Sequence, residues 1–452
     1  MPSCTTEALL DAARAALNQW AVNVAPAIAL AYSGGRDSTA LLDALSRLRD
    51  EGFPPAQSLI AIHVHHGLHL EADAWAEHCR QQCDARRVVF ELRRVTVERA
   101  GLGLEASARA ARYQALSEVA VAHGARAVLM AHHLDDRIET FLLQWLRGAG
   151  VDGLAAFPNA RELVPGVALL RPWAAIERKW IEQYCARHAL KFIDDPSNTD
   201  ITLTRNALRH HVMPALAAVQ PDFHATTARS IELVAEAAQV LGELAQLDLA
   251  HCLAQSPAHA LRLDRLRTLS PARQALVLRQ WLAAQGVACP SRARLHELLA
   301  QALQARADAR MQVDVGGVQI RRYRGLLMPH QPCDTRCEPV RMHWCGEPTL
   351  RVPSWGGRLS FIPSPTGFDA QWLRAQPLDI RPRRGAERLK LHSARPSKTL
   401  KTLFQEAAVP EYERTQLPLI WRGDQLIYVP RLGADARCEG EGGDRIRLLW
   451  DT

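Results

Sequence analysis

Short apolar runs alternate with long amphipathic stretches over the first 215 residues of the chain. The apolar runs predict buried strands at residues 28–32, 59–64, 88–92 and 127–130. The stretches between them, such as residues 72–83 and 104–122, have the apolar spacing that is typical of helices. Because strands that alternate with helices form a parallel sheet covered on both faces, residues 1–215 predict a doubly wound α/β domain.

The pattern becomes helical after residue 215. Helix periodicity runs through residues 226–250, 271–284 and 291–305. Residues 311–327 then alternate as in a hairpin, with Gly316 and Gly317 at its turn. We therefore predict a mainly helical middle domain over residues 216–330.

The remaining chain predicts short strands. From residue 331 to 375, strand-like pieces are broken by prolines and glycines, which indicates a linker with short strands. Residues 376–452 predict a small mixed α/β domain, with a helix near residues 398–408 and strands near residues 419–429 and 445–450.

Composition narrows the class of protein. The chain has 452 residues, 48% of them hydrophobic, which is enough for two or three domains with buried cores. Its net charge of +7 favours an acidic partner such as RNA, although a solvated, arginine-rich surface gives the same charge. The ten cysteines are scattered, which argues against a disulfide framework, and they form no Cys-x-x-Cys pair, which argues against zinc or iron–sulfur ligation. No secretory signal and no membrane-spanning run is evident, so we expect no membrane partner and a cytoplasmic location.

A loop of small residues follows the first predicted strand. Its sequence is Ser-Gly-Gly-Arg-Asp-Ser at residues 33–38, and a helical pattern begins directly after it. Glycines let the backbone approach an anion closely, and the first N–H groups of a helix are unpaired and point outward. Two hydroxyls and a carboxylate in the same loop suggest a phosphate group with its magnesium ion. The usual P-loop is excluded because the chain contains no Gly-Lys pair, while a turn that only caps a helix stays open.

A second polar motif, His-His-Leu-Asp-Asp-Arg-Ile-Glu-Thr at residues 132–140, follows the fourth predicted strand. If a helix begins at Asp135, that residue shares a face with Glu139, and Asp136 shares one with Thr140. These carboxylates can hold Mg²⁺ or a cationic substrate, or they only favour the helix N-terminus. Adjacent histidines do not easily place both rings on one ion, so zinc is not expected. Since ligands of parallel sheets bind beyond the carboxyl ends of the strands, both motifs should meet at one sheet edge.

The loop at residues 33–38 resembles the pyrophosphatase loop of the N-type ATP pyrophosphatases. Together with residues 132–140, it resembles the N-terminal domain of the tRNA(Ile)-lysidine synthetase family. Further elements that resemble this family are residues 63–68 with His66, 105–113 with Arg109 and Arg112, 147–154, 195–198, 204–209 with Arg205 and Arg209, and 381–388 with Lys398 and Lys401. The chain departs from the family at Arg137, where glutamine is usual, and at Ala156, Ala386 and Arg431, where glycine is expected.

This resemblance implies a reaction in two steps that uses ATP and Mg²⁺. ATP adenylates the wobble cytidine in the CAU anticodon of an isoleucine tRNA and releases pyrophosphate. Free L-lysine then displaces AMP, and the resulting lysidine switches codon reading from AUG to AUA. The residues implied to bind ATP are Ser33, Gly34, Gly35, Arg36, Asp37 and Ser38.

The resemblance also implies roles for the carboxylates. Asp37 and Asp136 would contact Mg²⁺. Asp135 or Glu139 would hold the lysine ammonium or take its proton, because an amine must be deprotonated when it attacks. The sequence does not decide which of the two acts as the base.

RNA contacts are implied in several parts of the chain. His66, Arg109, Arg112, Arg205 and Arg209 would contact the substrate or the tRNA close to the reaction. The middle domain would bind tRNA, and the C-terminal domain would bind its acceptor region through a basic cluster that includes Arg383, Arg384, Lys398 and Lys401. The alternative is that these basic residues form an ordinary solvated surface.

Two other functions stay open. An ATP-dependent tRNA sulfurtransferase of the same superfamily would activate the same kind of carbonyl, although those with iron–sulfur clusters use Cys-x-x-Cys pairs. A non-catalytic, ATP-gated RNA-binding protein would keep the nucleotide site without the chemistry. The oligomeric state is likewise undecided, and a homodimer stays open.

Overall fold

A computed structural model describes residues 3–20, 27–53, 58–67, 71–96, 104–196, 200–255, 257, 259–288, 290–304, 311–330, 338–407, 409, 411–438 and 444–451. The chain divides into two compact units, Met1–Glu243 and Leu244–Thr452. Among the described residues, no helix combines the length and the apolar character that crossing a membrane requires.

The first unit is built on a six-stranded sheet with the order β3-β2-β1-β4-β6-β5. Its strands are β1 (Ala27–Ala31), β2 (Ser58–His65), β3 (Val89–Arg94), β4 (Ala125–Leu129), β5 (Ala160–Val164) and β6 (Val167–Leu170). The predicted strands are confirmed to within two residues at each end. All neighbouring strands are parallel except β5, which pairs antiparallel with β6 in a hairpin that the sequence did not predict.

Helices cover both faces of this sheet. They are α1 (Ser3–Gln19), α2 (Arg36–Asp50), α3 (Ala72–Ala85), α4 (Leu104–Ala122), α5 (Leu134–Leu146), α6 (Val151–Leu154), α7 (Arg178–Arg187), α8 (Thr204–Ala207), a π-helical turn (Leu208–Val212), α9 (Met213–Val219) and α10 (Phe223–Cys252), which continues into the second unit. Side chains alternate along β1: Ile28 and Leu30 belong to the core that includes α2, whereas Ala27 and Ala29 belong to the core that includes α4. This two-sided burial confirms the doubly wound α/β prediction.

The second unit begins with helices packed on a small antiparallel sheet. The helices are α11 (Leu263–Arg267), α12 (Pro271–Ala284) and α13 (Arg292–Gln304), and the sheet has the order β7-β10-β9-β8, with β7 (Leu261–Arg262), β8 (Gln312–Val315), β9 (Val318–Tyr323) and β10 (Leu326–His330). The helices predicted at residues 226–250, 271–284 and 291–305 are confirmed, except that residue 305 lies outside the described residues. The hairpin turn is confirmed as well, since Gly316 and Gly317 both have positive φ between the paired residues Val315 and Val318.

The rest of the second unit is mostly β-structure. It contains β11 (Val340–Met342), β12 (Thr349–Val352), a 3₁₀ turn (Pro353–Trp355), β13 (Gly357–Asp369), α14 (Ala370–Arg374), β14 (Leu378–Arg381), β15 (Arg388–Leu389), β16 (Lys398–Thr399), α15 (Leu400–Glu406), α16 (Glu411–Arg414), β17 (Leu419–Arg422), β18 (Gln425–Val429), β19 (Gly433–Ala434) and β20 (Arg445–Asp451). The sheets have the orders β11-β14-β17-β18-β19, β12-β13-β20 and β15-β16. The predicted helix near residues 398–408 is shorter, because residues 398 and 399 belong to β16, and residue 408 lies outside the described residues.

The described part of segment 331–375 differs from the expected linker with short strands. Strand β13 has 13 residues and pairs antiparallel with β20, so that Leu359 faces Trp450 and Phe361 faces Leu448. Pro363, Pro365 and Gly367, three of the residues that suggested a broken segment, lie at a register shift between Pro363 and Phe368, where the strand pairing is interrupted and then resumes. This segment is therefore part of the folded C-terminal region.

Candidate active site

The loop at residues 33–38 connects β1 to α2 at the carboxyl edge of the parallel sheet. Gly35 is the N-cap of α2 and its N–H is 3.3 Å from Ser33 Oγ, which is itself 3.0 Å from Ser38 Oγ. The Ser38 hydroxyl donates to the carbonyl of Gly35 at 3.0 Å. These contacts fold the backbone into a tight turn at a helix N-terminus, which is the geometry of an anion cradle.

Gly34 holds the loop against its surroundings. Its φ is +84°, and a Cβ placed there would lie 2.5 Å from Ile193 Cδ1 and 2.6 Å from Cys79 Sγ. Its carbonyl accepts hydrogen bonds from the Ile193 N–H at 2.9 Å and from Thr39 Oγ1 at 3.2 Å. Only glycine satisfies both the backbone conformation and the close packing at this position.

The second motif is positioned by a histidine cap. Helix α5 begins at Leu134, one residue before the predicted start, and His133 is its N-cap. The Asp136 N–H donates to His133 Nδ1 at 3.4 Å, and the His133 N–H donates to Asp136 Oδ2 at 3.1 Å. The other ring nitrogen, Nε2, lies 3.6 Å from Asp37 Oδ2 and 3.5 Å from Asp136 Oδ2. The buried imidazole therefore joins the carboxylate of the loop to the carboxylate of α5.

The charges of Asp37, His133 and Asp136 shift one another's pKa values. Burial raises the pKa of Asp136, but the charges of His133 and Arg205 outweigh burial and lower it to about 2. Burial also raises the pKa of Asp37, but the hydrogen bond and charge of His133 together with the charge of Arg36 outweigh it, so that this pKa lies below its ordinary value. For His133, burial lowers the pKa, but the charges of Asp136 and Asp37 raise it above the usual range. Both carboxylates are thus held in the ionised form that binds cations.

Asp37 and Asp136 fit a magnesium ion that is completed by phosphate oxygens. The negative charges of the two carboxylates repel each other. Asp37 Oδ1 is buried and has no hydrogen-bond donor among the described residues, since the Nε atom of Arg36 lies 3.6 Å away. No group of three or more His, Cys, Asp or Glu side chains that could hold a metal ion occurs in the described ranges. Mg²⁺ is usually held by one or two carboxylates together with substrate phosphates, and this donor set matches that chemistry.

Glu139 is fully buried between two guanidinium groups. Its Oε2 accepts from Arg205 Nε at 2.7 Å and its Oε1 accepts from Arg209 Nε at 2.6 Å. Arg205 also donates to Asp136 Oδ1 at 3.0 Å, which joins the two carboxylates of α5. The ion pairs of Arg205 and Arg209 with Glu139 were not predicted from the sequence, and contacts of these two arginines with RNA stay a prediction.

Asp135 lies 3.8 Å from His133 Nδ1 through its Oδ2 and also contacts two helices outside this network. Its Oδ2 accepts from the backbone N–H of Arg178, the first residue of α7, at 3.0 Å. Its Oδ1 lies 3.4 Å from His224 Nε2 at the start of α10. Neither contact was predicted, since no sequence pattern connects α5 to α7 or α10.

Arg137, where glutamine is usual in the family, points away from this network. It is 5% exposed, and its Nη1 lies 4.0 Å from Glu232 Oε1. Together with Ile176 and Trp180 it lines a cavity of about 480 Å³. The sequence left the role of this arginine undecided, and in the structure its charge faces Glu232.

His66, Arg109 and Arg112 form a basic region, and the charge of Arg205 also acts on Arg112. The guanidinium carbons of Arg109 and Arg112 lie 5.6 and 5.9 Å from the ring centre of Tyr113 on α4. Burial, followed by the charge of Arg112, lowers the pKa of His66, which places these two side chains close together. Of the other family-like elements, Leu68, Ser197 and Asn198 and the side chain of Glu105 lie outside the described residues.

The predicted basic residues of the tail are gathered around the β15–β16 hairpin and α15 of the second unit. The Arg383 guanidinium lies 5.8 Å from the ring of Phe404, and the Arg384 N–H donates to Glu387. Lys398 forms an ion pair with Glu406 at 2.6 Å, whereas Lys401 is exposed on α15. These four residues thus lie in one region of the second unit, and one of them, Lys398, forms an ion pair with a carboxylate.

Comparison with known proteins identifies the family. Residues 9–216 match the PP-loop domain, residues 261–328 match the TilS substrate binding domain, and residues 378–450 match the TilS substrate C-terminal domain. The chain is 44% identical over 431 residues to the tRNA(Ile)-lysidine synthase of Ralstonia nicotianae, covering 92% of this chain and 91% of that one. It is 37% identical over 438 residues to the enzyme of the same name from Escherichia coli O157:H7, covering 94% and 96%. The chain therefore belongs to the tRNA(Ile)-lysidine synthase family.

Proposed function

We propose that this protein ligates free L-lysine onto the wobble cytidine of a CAU-anticodon isoleucine tRNA. ATP drives the reaction through an adenylated cytidine, with pyrophosphate and AMP as products and a switch from AUG to AUA reading as the result. The observation that carries the proposal is the meeting of Asp37, His133 and Asp136 at the mouth of a phosphate cradle. The family membership supports the lysidine product over the sulfur transfer that the sequence left open.

The loop holds the leaving pyrophosphate in this proposal. The backbone N–H groups at the start of α2 and the hydroxyls of Ser33 and Ser38 face the position of the phosphates. Donors that are fixed before the reaction stabilise charge as it develops without further reorganisation. Asp37 and Asp136 hold Mg²⁺, which when bound supplies charge neutralisation to the phosphate oxygens.

We assign the lysine ammonium to Asp135 in preference to Glu139. Both oxygens of Glu139 already accept charged hydrogen bonds from two guanidinium groups, so a second cation would have to displace one of them. Asp135 accepts one hydrogen bond, from the Arg178 backbone N–H at 3.0 Å, and its contacts with the rings of His224 and His133 are longer, at 3.4 and 3.8 Å. Asp135 is consequently the better site for an ammonium and for the proton that it releases.

We further propose that the middle and C-terminal parts, residues 216–330 and 376–452, bind the body of the tRNA. The substrate-binding and C-terminal family matches fall within these ranges. Phosphate contacts spread over the tRNA would fix its register, while the active site reads the extruded wobble base.

The test uses the full-length protein with ATP, Mg²⁺, radiolabelled L-lysine and an unmodified CAU-anticodon isoleucine tRNA transcript. We expect label in the RNA that resists mild alkali, and we expect Asp37→Asn to abolish it. Asp50→Asn serves as the matched control, because Asp50 is an exposed residue at the opposite end of α2. Release of AMP without labelled RNA would instead indicate another nucleophile, and absence of both would support the non-catalytic alternative.

A further inference from the structure

Four arginines gather around one tyrosine at the edge of the first unit. The guanidinium carbons of Arg161, Arg109 and Arg112 lie 5.0, 5.6 and 5.9 Å from the ring centre of Tyr113. The fourth, Arg171, is 3% exposed; its guanidinium lies 4.9 Å from the ring of Phe157, and its Nη1 donates to the Pro158 carbonyl at 2.8 Å. We call Tyr113, Arg109, Arg112, Arg161 and Arg171 the Tyr113 cluster.

The Tyr113 cluster brings four positive charges together. Among the described residues, its arginines contact aromatic rings and backbone carbonyls but form no ion pair with a carboxylate. The Nε atoms of Arg112 and Arg171 are buried and have no hydrogen-bond partner in the described ranges. Taking a guanidinium out of water without a counter-charge costs several kcal/mol, and like charges at this spacing repel. An anionic ligand bound at the arginines would offset both the desolvation cost and the repulsion between the guanidinium groups.

The topology places the Tyr113 cluster at the reacting edge of the sheet. Arg171 follows β6 and His132 follows β4, and these strands pair in parallel with Leu129 opposite Leu170. Arg161 lies near the start of β5, opposite Leu169 near the carboxyl end of β6. Arg161 and Arg171 thus lie on the same edge as the loop at residues 33–38, but at the β5–β6 hairpin rather than at the β1–α2 connection, and Arg109 and Arg112 reach the same tyrosine from α4.

We infer that the Tyr113 cluster binds phosphodiester groups of the RNA backbone next to the nucleotide that is modified. This inference rests on the proposed function and adds Tyr113, Arg161 and Arg171 to the residues that hold the tRNA. Arginine donates two parallel hydrogen bonds to a phosphate, and the tyrosine ring keeps the guanidinium groups together through cation–π contacts. ATP carries the same phosphate chemistry, but its phosphates already have the cradle at the start of α2, two strands away from the hairpin.

The experiment measures tRNA binding by the full-length protein without ATP or lysine, between 50 and 200 mM salt. We expect Arg161→Ala to weaken binding about tenfold and to reduce the slope of log K against log salt by about one. Arg161→Lys should keep the salt slope but recover only part of the affinity, because an ammonium cannot make the bidentate contact. Arg126→Ala is the matched control, since Arg126 is exposed on β4 near its amino end, at the opposite edge of the sheet, and should behave as wild type.

ATP binding, measured separately on the same variants, distinguishes the two sources of phosphate. Arg161→Ala should bind ATP as wild type does. Wild-type tRNA affinity and salt slope in this variant would overturn the inference, and so would loss of ATP binding with tRNA binding intact. If Arg161→Ala does not fold, the same measurement is made on Arg109→Ala, because Arg109 is exposed on α4, and its tRNA affinity and salt slope then test the inference. Failure to form lysidine would leave the RNA-binding result standing, so the two proposals fail separately.

Discussion

Replacing Gly34 by alanine should damage the phosphate loop more than any other single methyl group added to it. The residue has a φ of +84°, which costs an L-residue roughly 1–2 kcal/mol. The added Cβ would also lie 2.5 Å from Ile193 Cδ1 and 2.6 Å from Cys79 Sγ, and relieving such overpacking costs about 1–3 kcal/mol. The combined loss is about 2–5 kcal/mol in the free energy of unfolding of the first unit.

Gly35→Ala provides the matched control in the same loop. Gly35 has a φ of −69°, and its added Cβ would meet only Ser33 Oγ at 3.5 Å, an ordinary contact. Its cost should be limited to the weaker N-cap preference of alanine, at most about 1 kcal/mol. Urea unfolding of both variants, followed by far-ultraviolet circular dichroism, measures the difference between two chemically identical changes one residue apart.

A second substitution tests the cause. Ile193→Val removes the Cδ1 atom that the new methyl group would strike, at a cost of about 0.5–1.5 kcal/mol on its own. The Gly34→Ala, Ile193→Val double variant should therefore lose less stability than the sum of the single variants. Equal stability of Gly34→Ala and Gly35→Ala would refute the reasoning, and strict additivity in the cycle would refute the role of Ile193.

Three further outcomes are expected. Glu139→Gln should lower the free energy of unfolding by about 3–5 kcal/mol, because it leaves two partly buried guanidinium groups without their charge partner; a change below about 1 kcal/mol in urea unfolding would contradict this. His133→Asn keeps an N-cap but removes a group whose pKa is raised in the folded state. The stabilisation that the charged imidazole gives the folded state is complete below pH 6.5 and is lost as the pH rises through the raised pKa. Its destabilisation relative to wild type should therefore shrink between pH 6 and pH 9, and a pH-independent difference would exclude the linkage. The double variant Arg383→Glu, Arg384→Glu should weaken tRNA binding in a filter assay but spare ATP binding. The control is Arg351→Glu, which changes an exposed arginine on β12 in the same unit and should leave both kinds of binding unchanged. Equal tRNA affinity in the wild type and both variants would contradict the role of the tail in tRNA binding.

The loop at residues 33–38 and the motif at residues 132–140 could be found from the sequence because the patterns that define them are local. A buried strand, a run of small residues and an amphipathic helix follow one another within residues 27–50, and each part has its own pattern. The parallel sheet then brings distant strand ends to one edge, so the proximity of Asp37 and Asp136 followed from topology without any knowledge of contacts.

The partners of the carboxylates could not be found in this way. Arg205 and Arg209 lie 66 and 70 residues from Glu139, and no periodicity distinguishes arginines that pair across such a distance from arginines that face solvent. The same limit explains the missed pairing of β13 with β20, since prolines that break a strand pattern locally are compatible with a long strand whose register shifts. Non-local pairing depends on which surfaces meet, and that information is not contained in local spacing.

The site functions electrostatically as one unit. Positive and negative groups alternate from Asp37 through His133, Asp136 and Arg205 to Glu139, with each charge contacting the next. Removing any member leaves its neighbours uncompensated in a buried environment, so the effects of single substitutions here must be non-additive. This series of charges begins at the phosphate cradle, and the charge of its Arg205 also acts on Arg112 of the Tyr113 cluster. A cation bound at the carboxylates and a polyanion bound at the arginines would attract each other, so binding of one should strengthen binding of the other.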